Sequence, residues 1–290
     1  MLCPIGSAVP SRAQGCGEFG SSRLPRGWRA SRRELSRSGA LTVAICPPLP
    51  AQSAGVAKHD RADFAQEFLR RNAAYRAGWA RLGAAGANAG VRDDARRWGL
   101  CTLFDPARSA RAAPAIWRAE AASQIVSLAP APHLSDAAPL PDMRPCAEFG
   151  DDHARNIVVD RDGVRHRLRL LAPEPDARLA ILLPPLGDAL RAAACDAARR
   201  MIAGLAVAEP ASALRPSVLQ RQRLALLLRV LDASLAGAGN REIGTGIVYP
   251  WLAGTDAAAW KSTGERRRVQ RLLAEARHLA AGGYRGLLKP

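Results

Sequence analysis

Residues 262–281, STGERRRVQRLLAEARHLAA, have the period of an amphipathic helix with two chemically different faces. We expect this helix to begin at a capping box, with Ser262 at the N-cap and Glu265 at N3, and to end before Gly282 and Gly283. At 100° per residue, one arc of it is apolar and contains Val269, Leu272, Leu273, Ala276 and Ala280. The opposite side is basic and contains Arg267, Arg271 and His278, flanked by Arg268 and Gln270.

The arginines of this helix stand in its first two turns, where they are electrostatically unfavourable. The N-terminus of a helix is itself positive, and like charges one turn apart repel each other. Arginine and glutamine at the start of a helix are side chains that a recognition helix places against base edges and phosphates in the major groove. The pattern therefore favours DNA contact, and a solvated basic surface is the alternative interpretation.

Positive charge is concentrated at the two ends of the chain. The 290 residues include 42 Lys+Arg and 26 Asp+Glu, a formal net charge of +16, and residues 211–290 alone carry 13 cations and five acids. A localised positive field is typical of a protein that binds a polyanion. Only three cations are lysines, which argues against a Schiff base, a P-loop or another lysine-centred chemistry; they are Lys58, Lys261 and Lys289.

The sequence offers no catalytic or metal-binding motif. Six cysteines and five histidines are scattered without ligand spacing, and there is no Gly-x-Ser-x-Gly, no His-Glu-x-x-His and no glycine loop after a strand. We therefore expect a non-catalytic protein without a metal, a cofactor or a small-molecule substrate. No run approaches the roughly 20 apolar residues that cross a bilayer, so we expect a cytoplasmic protein without a membrane span.

The N-terminal third divides into an extension and a predicted domain. Residues 1–57 are rich in Ser, Gly, Pro and Arg and are predicted to be a disordered or untranslated extension. In the predicted domain, 58–132, Asp60 caps a helix that runs to about residue 82, followed by a short helix over 93–98, Trp117 as a core anchor and a strand over 125–128. An aromatic stripe on the first helix is interpreted as a core face: Phe64, Phe68, Tyr75 and Trp79.

The middle of the chain is predicted to be a proline-rich linker, 133–150, followed by a hairpin-plus-helix region, 151–210. Residues 156–159 and 164–171 predict the two hairpin strands, with Gly163 at positive φ in the turn. Residues 179–183 predict a third strand, and 185–207 predict a helix.

Residues 211–290 have a helical pattern, so the predicted fold class is α+β: a mixed N-terminal and middle region followed by a helix-turn-helix-like domain. Ser217 is expected to cap a long helix that ends near residue 236, and Asn240 a short helix that begins with Arg241. The connection to the final helix has Trp251 and Trp260 as expected core anchors. The buried side of the long helix is expected to contain Leu219, Leu224, Leu227, Leu228, Leu231 and Leu235.

Residues 224–289 resemble the DNA-binding domain of the RovC-like transcription factors linked to type VI secretion. The matching stretches are 228–232 (LRVLD), 235–238 (LAGA), 241–243 (REI), 260–261 (WK), 268–269 (RV), 271–272 (RL) and 282–285 (GGYR). A second group of stretches resembles the companion N-terminal transcriptional-regulator domain: 67–72 (EFLRRN), 75–76 (YR), 97–100 (RWGL), 117–118 (WR) and 128–132 (LAPAP). Where the family usually has alanine, this chain has Gly244 and Gly246, each costing about 1 kcal/mol within a helix, so we expect the short helix to be frayed.

The resemblance implies a sequence-specific DNA-binding regulator of transcription whose partner is double-stranded DNA. An accessory protein of a secretion or conjugation system, without DNA contact, is the alternative, and homo-oligomerisation is left open. The residues expected to contact DNA are Arg241, Lys261, Ser262, Thr263, Arg266, Arg267, Arg268, Gln270, Arg271 and Arg285.

Overall fold

A five-stranded mixed sheet forms the middle of the protein. The computed structural model describes residues 56–85, 91–150, 153–161, 163–172, 177–205, 213–254 and 256–289, so almost all of the predicted extension 1–57 lies outside the described residues. The strands are β1 (Ile125–Pro130), β2 (Ala147–Gly150), β3 (Ala154–Arg161), β4 (Val164–Leu171) and β5 (Leu179–Leu182). Their order is β2-β3-β4-β1-β5, and β1 and β4 are parallel whereas the other pairs are antiparallel.

The predicted hairpin and third strand are confirmed by β3, β4 and β5. Gly163 has φ +75° in the hairpin turn, a conformation that favours glycine. Two parts of the segment predicted as a linker contribute to the sheet, since β2 lies within it and Ala138 forms a bridge with Leu179.

One face of the sheet is covered by α4 (Ala189–Ile202), which Asp188 caps by accepting a hydrogen bond from the Arg191 backbone N–H. Helix α4 is shorter at both ends than the helix predicted over residues 185–207. Its apolar side packs on β1, β3 and β4 in a core that contains Leu128, Ile157, Leu168, Leu190, Ala194 and Met201.

The N-terminal helical pattern forms two helices, α1 (Arg61–Leu69) and α2 (Ala73–Ala85), and the prediction of one helix to residue 82 is wrong. The break has a local cause, because the Asn72 side chain accepts a hydrogen bond from the Tyr75 N–H (2.9 Å) and thereby caps a new helix. Asp60 caps α1 as predicted. The short helix α3 (Val91–Arg97) follows, and Phe64, Phe68, Tyr75 and Trp79 all pack in the core as expected.

The C-terminal region consists of α5 (Val218–Leu235), α6 (Asn240–Ile243), α7 (Ala257–Ser262), α8 (Gly264–His278) and α9 (Arg285–Leu288). Ser217 caps α5 as predicted, in a capping box with Gln220. Leu219 and Leu235 are 78% and 44% exposed, so their predicted place on the buried side is wrong. A π turn over Gly244–Val248 and a 3-10 turn over Pro250–Leu252 lie between α6 and α7.

The residues predicted to form separate N-terminal and C-terminal domains share one hydrophobic core. Phe64 and Phe68 of α1 pack in it together with Leu227 of α5, Leu272 of α8 and the buried Tyr284. All described residues lie within one compact unit, Cys46–Pro290. The predicted domain boundaries remain predictions, but the two regions contribute to one common hydrophobic core.

Buried charges reinforce this shared core. The guanidinium of Arg71 donates two hydrogen bonds to the carboxylate of Asp232 on α5 (2.6 and 2.9 Å) and one to Glu67 Oε2 (2.7 Å). Burial lowers the pKa of Arg71, but hydrogen bonds from Arg71 to Asp232 and the charges of Asp232 and Glu67 outweigh this effect, so the pKa is raised. The ion pair therefore fixes the C-terminal end of α1 against α5.

A second group of buried ion pairs joins the start of α1 to β4. Arg165 Nη1 donates to Asp63 Oδ1 (2.6 Å), and Arg167 pairs with both Asp60 and Asp63. Burial and the neighbouring Asp60 carboxylate raise the pKa of Asp63. Burial also acts to raise the pKa of Asp60, but Arg167, the backbone N–H of Asp63 and Arg165 together lower it. Helix α1 is thus attached to the sheet at one end and to α5 at the other.

Asp232→Ala should lower the free energy of unfolding by about 3–5 kcal/mol, because it leaves the buried guanidinium of Arg71 without its main partner. The matched control is Glu275→Ala, which breaks the exposed pair between Glu275 and Arg223 of α5 and should cost less than about 1 kcal/mol. Chemical denaturation followed by circular dichroism measures both. Equal losses of stability for the two variants would contradict this role of the buried pair.

Candidate nucleic-acid interface

The apolar arc of α8 is buried as predicted and fixes which way the helix faces. Val269 and Leu273 pack with Val230, Ile243 and Trp260 in a small core, here called the α8 core. Leu272 and Ala276 of α8, and Ala280 just after it, pack in the large core shared with α1. Helix α8 is therefore held by two cores along one side, and it cannot rotate without exposing them.

The basic side of α8 faces solvent. Arg267, Arg268, Gln270 and Arg271 are all exposed. Among the described residues, none of these three arginines has a side-chain hydrogen bond or an ion pair with an acid. A cluster of cations without local compensation is the electrostatic arrangement that a polyanion completes.

The start of α8 differs from the predicted capping box. Thr263 is the N-cap, and its Oγ1 accepts a hydrogen bond from the Arg266 N–H (3.2 Å). Ser262 instead ends α7, where its Oγ donates to the carbonyl of Ala259 (2.8 Å). The preceding helix decides the position of the cap, because α7 extends through Ser262 and leaves Thr263 as the first residue before α8.

This cap brings α7 directly against α8, with Thr263 as the only residue between them. Lys261, near the end of α7, is exposed beside the first turn of α8. Arg266 is half-buried, and its Nη1 donates to the carbonyl of Lys261 (3.3 Å). Lys261 and the exposed arginines of α8 therefore lie close together in the chain. Three other residues expected to contact DNA instead make side-chain hydrogen bonds within the protein: Ser262, Thr263 and Arg266.

The short helix α6 begins one residue earlier than expected, because its N-cap is Gly239 and not Asn240. The Gly239 N–H donates to Glu242 Oε2 (2.7 Å), and Arg241 is exposed. Helices α6 and α8 are separated by the π turn, the 3-10 turn and α7, so the three- or four-residue connection of a strict helix-turn-helix does not join them.

Gly244 is required by packing, so it is not simply a residue that weakens the short helix, as the sequence had suggested. A Cβ at Gly244 would lie 2.3 Å from Cη2 of Trp260, the buried centre of the α8 core. At Gly246 a Cβ would meet nothing within 4 Å. Trp260 is a core anchor as predicted, whereas Trp251 is 75% exposed and its predicted place in the core is wrong.

The final motif, Gly282-Gly283-Tyr284-Arg285, attaches the C-terminus to the N-terminal region. Gly282 has φ +154°, and the Tyr284 hydroxyl donates to the carbonyl of Trp98 (3.0 Å). Arg285 Nη2 donates to the carbonyl of Arg97 (2.6 Å) at the end of α3. Arg285 follows the C-terminal end of α8, which is roughly 20 Å along the axis from the first turn. The structure does not bring Arg285 together with the exposed arginines of α8.

Residues 171–289 match the family profile described as "T6SS, Transcription factor, DNA binding domain". The C-terminal region is similar to that domain family. Residues 49–101 match the profile of a proteobacterial transcriptional regulator-like domain. The resemblance stated from the sequence is confirmed at both ends, and the C-terminal match also includes β5 and α4. A search of curated proteins found no match.

The names of the two matched domains indicate a DNA-binding transcriptional regulator in the context of type VI secretion. Some of the residues that carry the resemblance also form contacts between the N-terminal and C-terminal regions. Arg71 contacts Asp232, and Tyr284 contacts Trp98, so each motif packs on its counterpart in the other region. In the part of the chain that the structure describes, no helix has the length and hydropathy of a membrane span.

Gly244→Ala should destabilise the protein by about 1–3 kcal/mol, because the added methyl group overlaps the indole of Trp260 and forces the α8 core to move. Gly246→Ala is the matched control and should be neutral or should stabilise by up to about 1 kcal/mol, since the site has space and alanine favours helical backbone. Thermal and chemical denaturation measure both variants. A stabilising Gly244→Ala would show that the glycine is only a local weakness of α6.

Proposed function

We propose that this protein is a sequence-specific, non-catalytic regulator of transcription that reads DNA with the exposed side of α8. In this account Arg267 and Arg271, one helical turn apart, contact base edges in the major groove, with Gln270 between them. Arg268, Lys261 and Arg241 contact phosphates and set the position of the helix on the duplex. The regulator acts in the cytoplasm, where bacterial DNA is found.

The observation that carries this proposal is an uncompensated arginine cluster on a helix with a fixed orientation. The first two turns of α8 carry exposed arginines that lack acidic partners among the described residues, although like charges one turn apart and a helix N-terminus disfavour them. Two cores hold the opposite side of the helix. A rigid helix with a costly, exposed basic side is suited to a polyanion that supplies the compensating negative charge.

Arginine at these positions also suits base readout. The planar guanidinium can donate two hydrogen bonds to the O6 and N7 atoms of guanine, and a good bidentate pair contributes about 1–3 kcal/mol of discrimination between bases. The proposed interface omits Arg285, since this residue follows the C-terminal end of α8 and its guanidinium donates to the backbone carbonyl of Arg97. It also omits Ser262 and Thr263, since both hydroxyls make hydrogen bonds within the protein.

The double variant Arg267→Ala, Arg271→Ala should weaken binding to a selected duplex by about 1–3 kcal/mol for each arginine that reads a base, and it should relax base preference at the positions those arginines read. The duplex is first selected from randomised sequences with the wild-type protein, and affinities are then measured by gel shift. The matched control is Arg155→Ala, Arg199→Ala, which removes the same charge from surface pairs with Glu148 and Asp196.

Two further variants separate the roles of the other residues. Arg241→Ala should weaken binding to all sequences alike, because a phosphate contact carries no base preference. Val269→Asp should unfold the region, because it buries a charge in the α8 core. A folded Arg267→Ala, Arg271→Ala variant with wild-type affinity and preference would contradict the proposal and favour the accessory protein without DNA contact.

Binding should depend strongly on salt concentration. About four to six phosphate contacts from cations of the C-terminal region, with Arg268, Lys261 and Arg241 among them, would give a slope of log K against log[salt] near −4 to −5, since each neutralised phosphate contributes about 0.9. Gel shifts or fluorescence anisotropy over a range of salt concentrations give the slope. A flat response would mean that the basic surface is not the binding surface.

A further inference from the structure

A cavity of about 310 Å³ opens where the edge of the sheet meets the end of α4. Its walls come from the segment 134–138, from Leu179, Ala180 and Ile181 of β5, and from the last turn of α4 with Ile202. Small-molecule sites in proteins have volumes of roughly 300–1,000 Å³, so this cavity has the size of a site for a small ligand. Three other cavities among the described residues have volumes of about 10 Å³ each, which is room for roughly one water molecule.

The lining of the cavity is mainly apolar. Leu179, Ile181 and Ile202 line it and also pack against the core between the sheet and α4. Leu134, on the opposite wall, is 56% exposed. Water finds few hydrogen-bond partners on such a surface, and apolar cavities bind small apolar molecules. The lining therefore favours a ligand with an apolar body.

Hydrogen bonds within the protein hold the walls of the cavity in place. The backbones of Ala138 and Leu179 exchange two hydrogen bonds (3.3 and 2.9 Å), which join the segment 134–138 to β5. Arg178 Nη2 donates to the carbonyl of Ser135 (2.9 Å) in the same wall. The third wall is the end of α4, where the Ala203 N–H donates to the carbonyl of Arg199 (2.9 Å). Because the site is already formed, little free energy of binding is lost in ordering it.

Two charged side chains of opposite sign line the cavity beside these apolar groups, Arg199 and Asp136. Both are exposed, so they stand where the cavity opens to solvent. A guanidinium only donates hydrogen bonds, and a carboxylate only accepts them. A ligand with a net charge of either sign would be attracted by one of the two and repelled by the other. An uncharged polar group that both accepts and donates suits the pair, as a carboxamide or a hydroxyl does.

We propose that this cavity binds a small uncharged amphiphile, an apolar chain or ring that carries one carboxamide or hydroxyl group. The apolar part lies against Leu179, Ile181 and Ile202, and the polar group lies at the opening beside Arg199 and Asp136. None of the described lining residues belongs to α8. The inference is therefore independent of the proposed contact between α8 and DNA.

Three probes with one chain and different end groups test this assignment: octanamide, octanoate and octylammonium. Isothermal titration calorimetry with the full-length protein should show one octanamide bound per chain, with a negative heat-capacity change because apolar surface is buried. Octanoate and octylammonium should bind about 2- to 5-fold more weakly, since each charge is opposed by one exposed charge at the opening and loses part of its hydration.

Variants of the lining residues place the bound probe in the cavity. Ala203→Trp should abolish octanamide binding, because Ala203 lines the cavity and the indole occupies its space. Ala192→Trp is the matched control, since Ala192 is an exposed residue of the same helix that does not line the cavity, and it should bind octanamide like the wild type. Asp136→Asn should raise the affinity for octanoate about 2- to 5-fold and leave that for octanamide nearly unchanged, because it removes the opposing charge.

Other outcomes overturn the inference in distinguishable ways. If octanamide does not bind, or binds Ala203→Trp as tightly as the wild type, the cavity is not its site. If octanoate binds the wild type most tightly, the ligand is an anion and the uncharged end group is wrong. If no probe binds and Leu134→Asp changes the sedimentation coefficient of the free protein, a second copy of the chain covers the cavity. None of these results changes the expected loss of DNA binding in Arg267→Ala, Arg271→Ala, so the proposed function is tested separately.

Discussion

The buried ion pair between Arg71 and Asp232 is the interaction on which the arrangement of the protein depends. All residues of α1 after Arg61 are buried, and its charges pair with β4 at one end and with α5 at the other. Removing one partner of such a pair leaves an uncompensated buried charge, which costs several kcal/mol. Helix α1 consequently holds the sheet and the helical region in one relative position, and the two matched domain families meet around it.

This constraint reaches the DNA-binding side through α5 and α8. Asp232 holds α5 against α1, and Leu227 of α5 packs in the core that also receives Leu272 of α8. The α8 core then fixes the first turns of the helix, since Val269 packs against Trp260 at a position that only a glycine at 244 allows. The exposed arginines owe their direction to these contacts on the opposite side of the helix.

The sequence predicted those features that local physics determines. The β3–β4 hairpin, the Ser217 cap and the buried arc of α8 follow from alternation, turn chemistry and helical period, and they are confirmed. The errors arise where contacts between elements determine the local structure. The N-cap of α8 is Thr263 because α7 extends through Ser262, and a glycine is needed at position 244 because Trp260 packs against it. Trp251 was expected in a core because tryptophan usually packs there, and no periodic pattern in its segment could indicate otherwise. The exposed side of α8 was predictable, whereas the hydrogen bond of Arg285 to Arg97 was not.

The central claim, that the basic side of α8 lies against DNA, is tested most directly by a cross-linker at its centre. Gln270 is exposed between Arg267 and Arg271, so replacing it with p-benzoylphenylalanine leaves both cores intact. Irradiation with the selected duplex should give a covalent protein–DNA adduct within the bound sequence, and the same replacement at the exposed Asp196 on α4 should give none. Adducts from position 196 but not from position 270 would contradict the account.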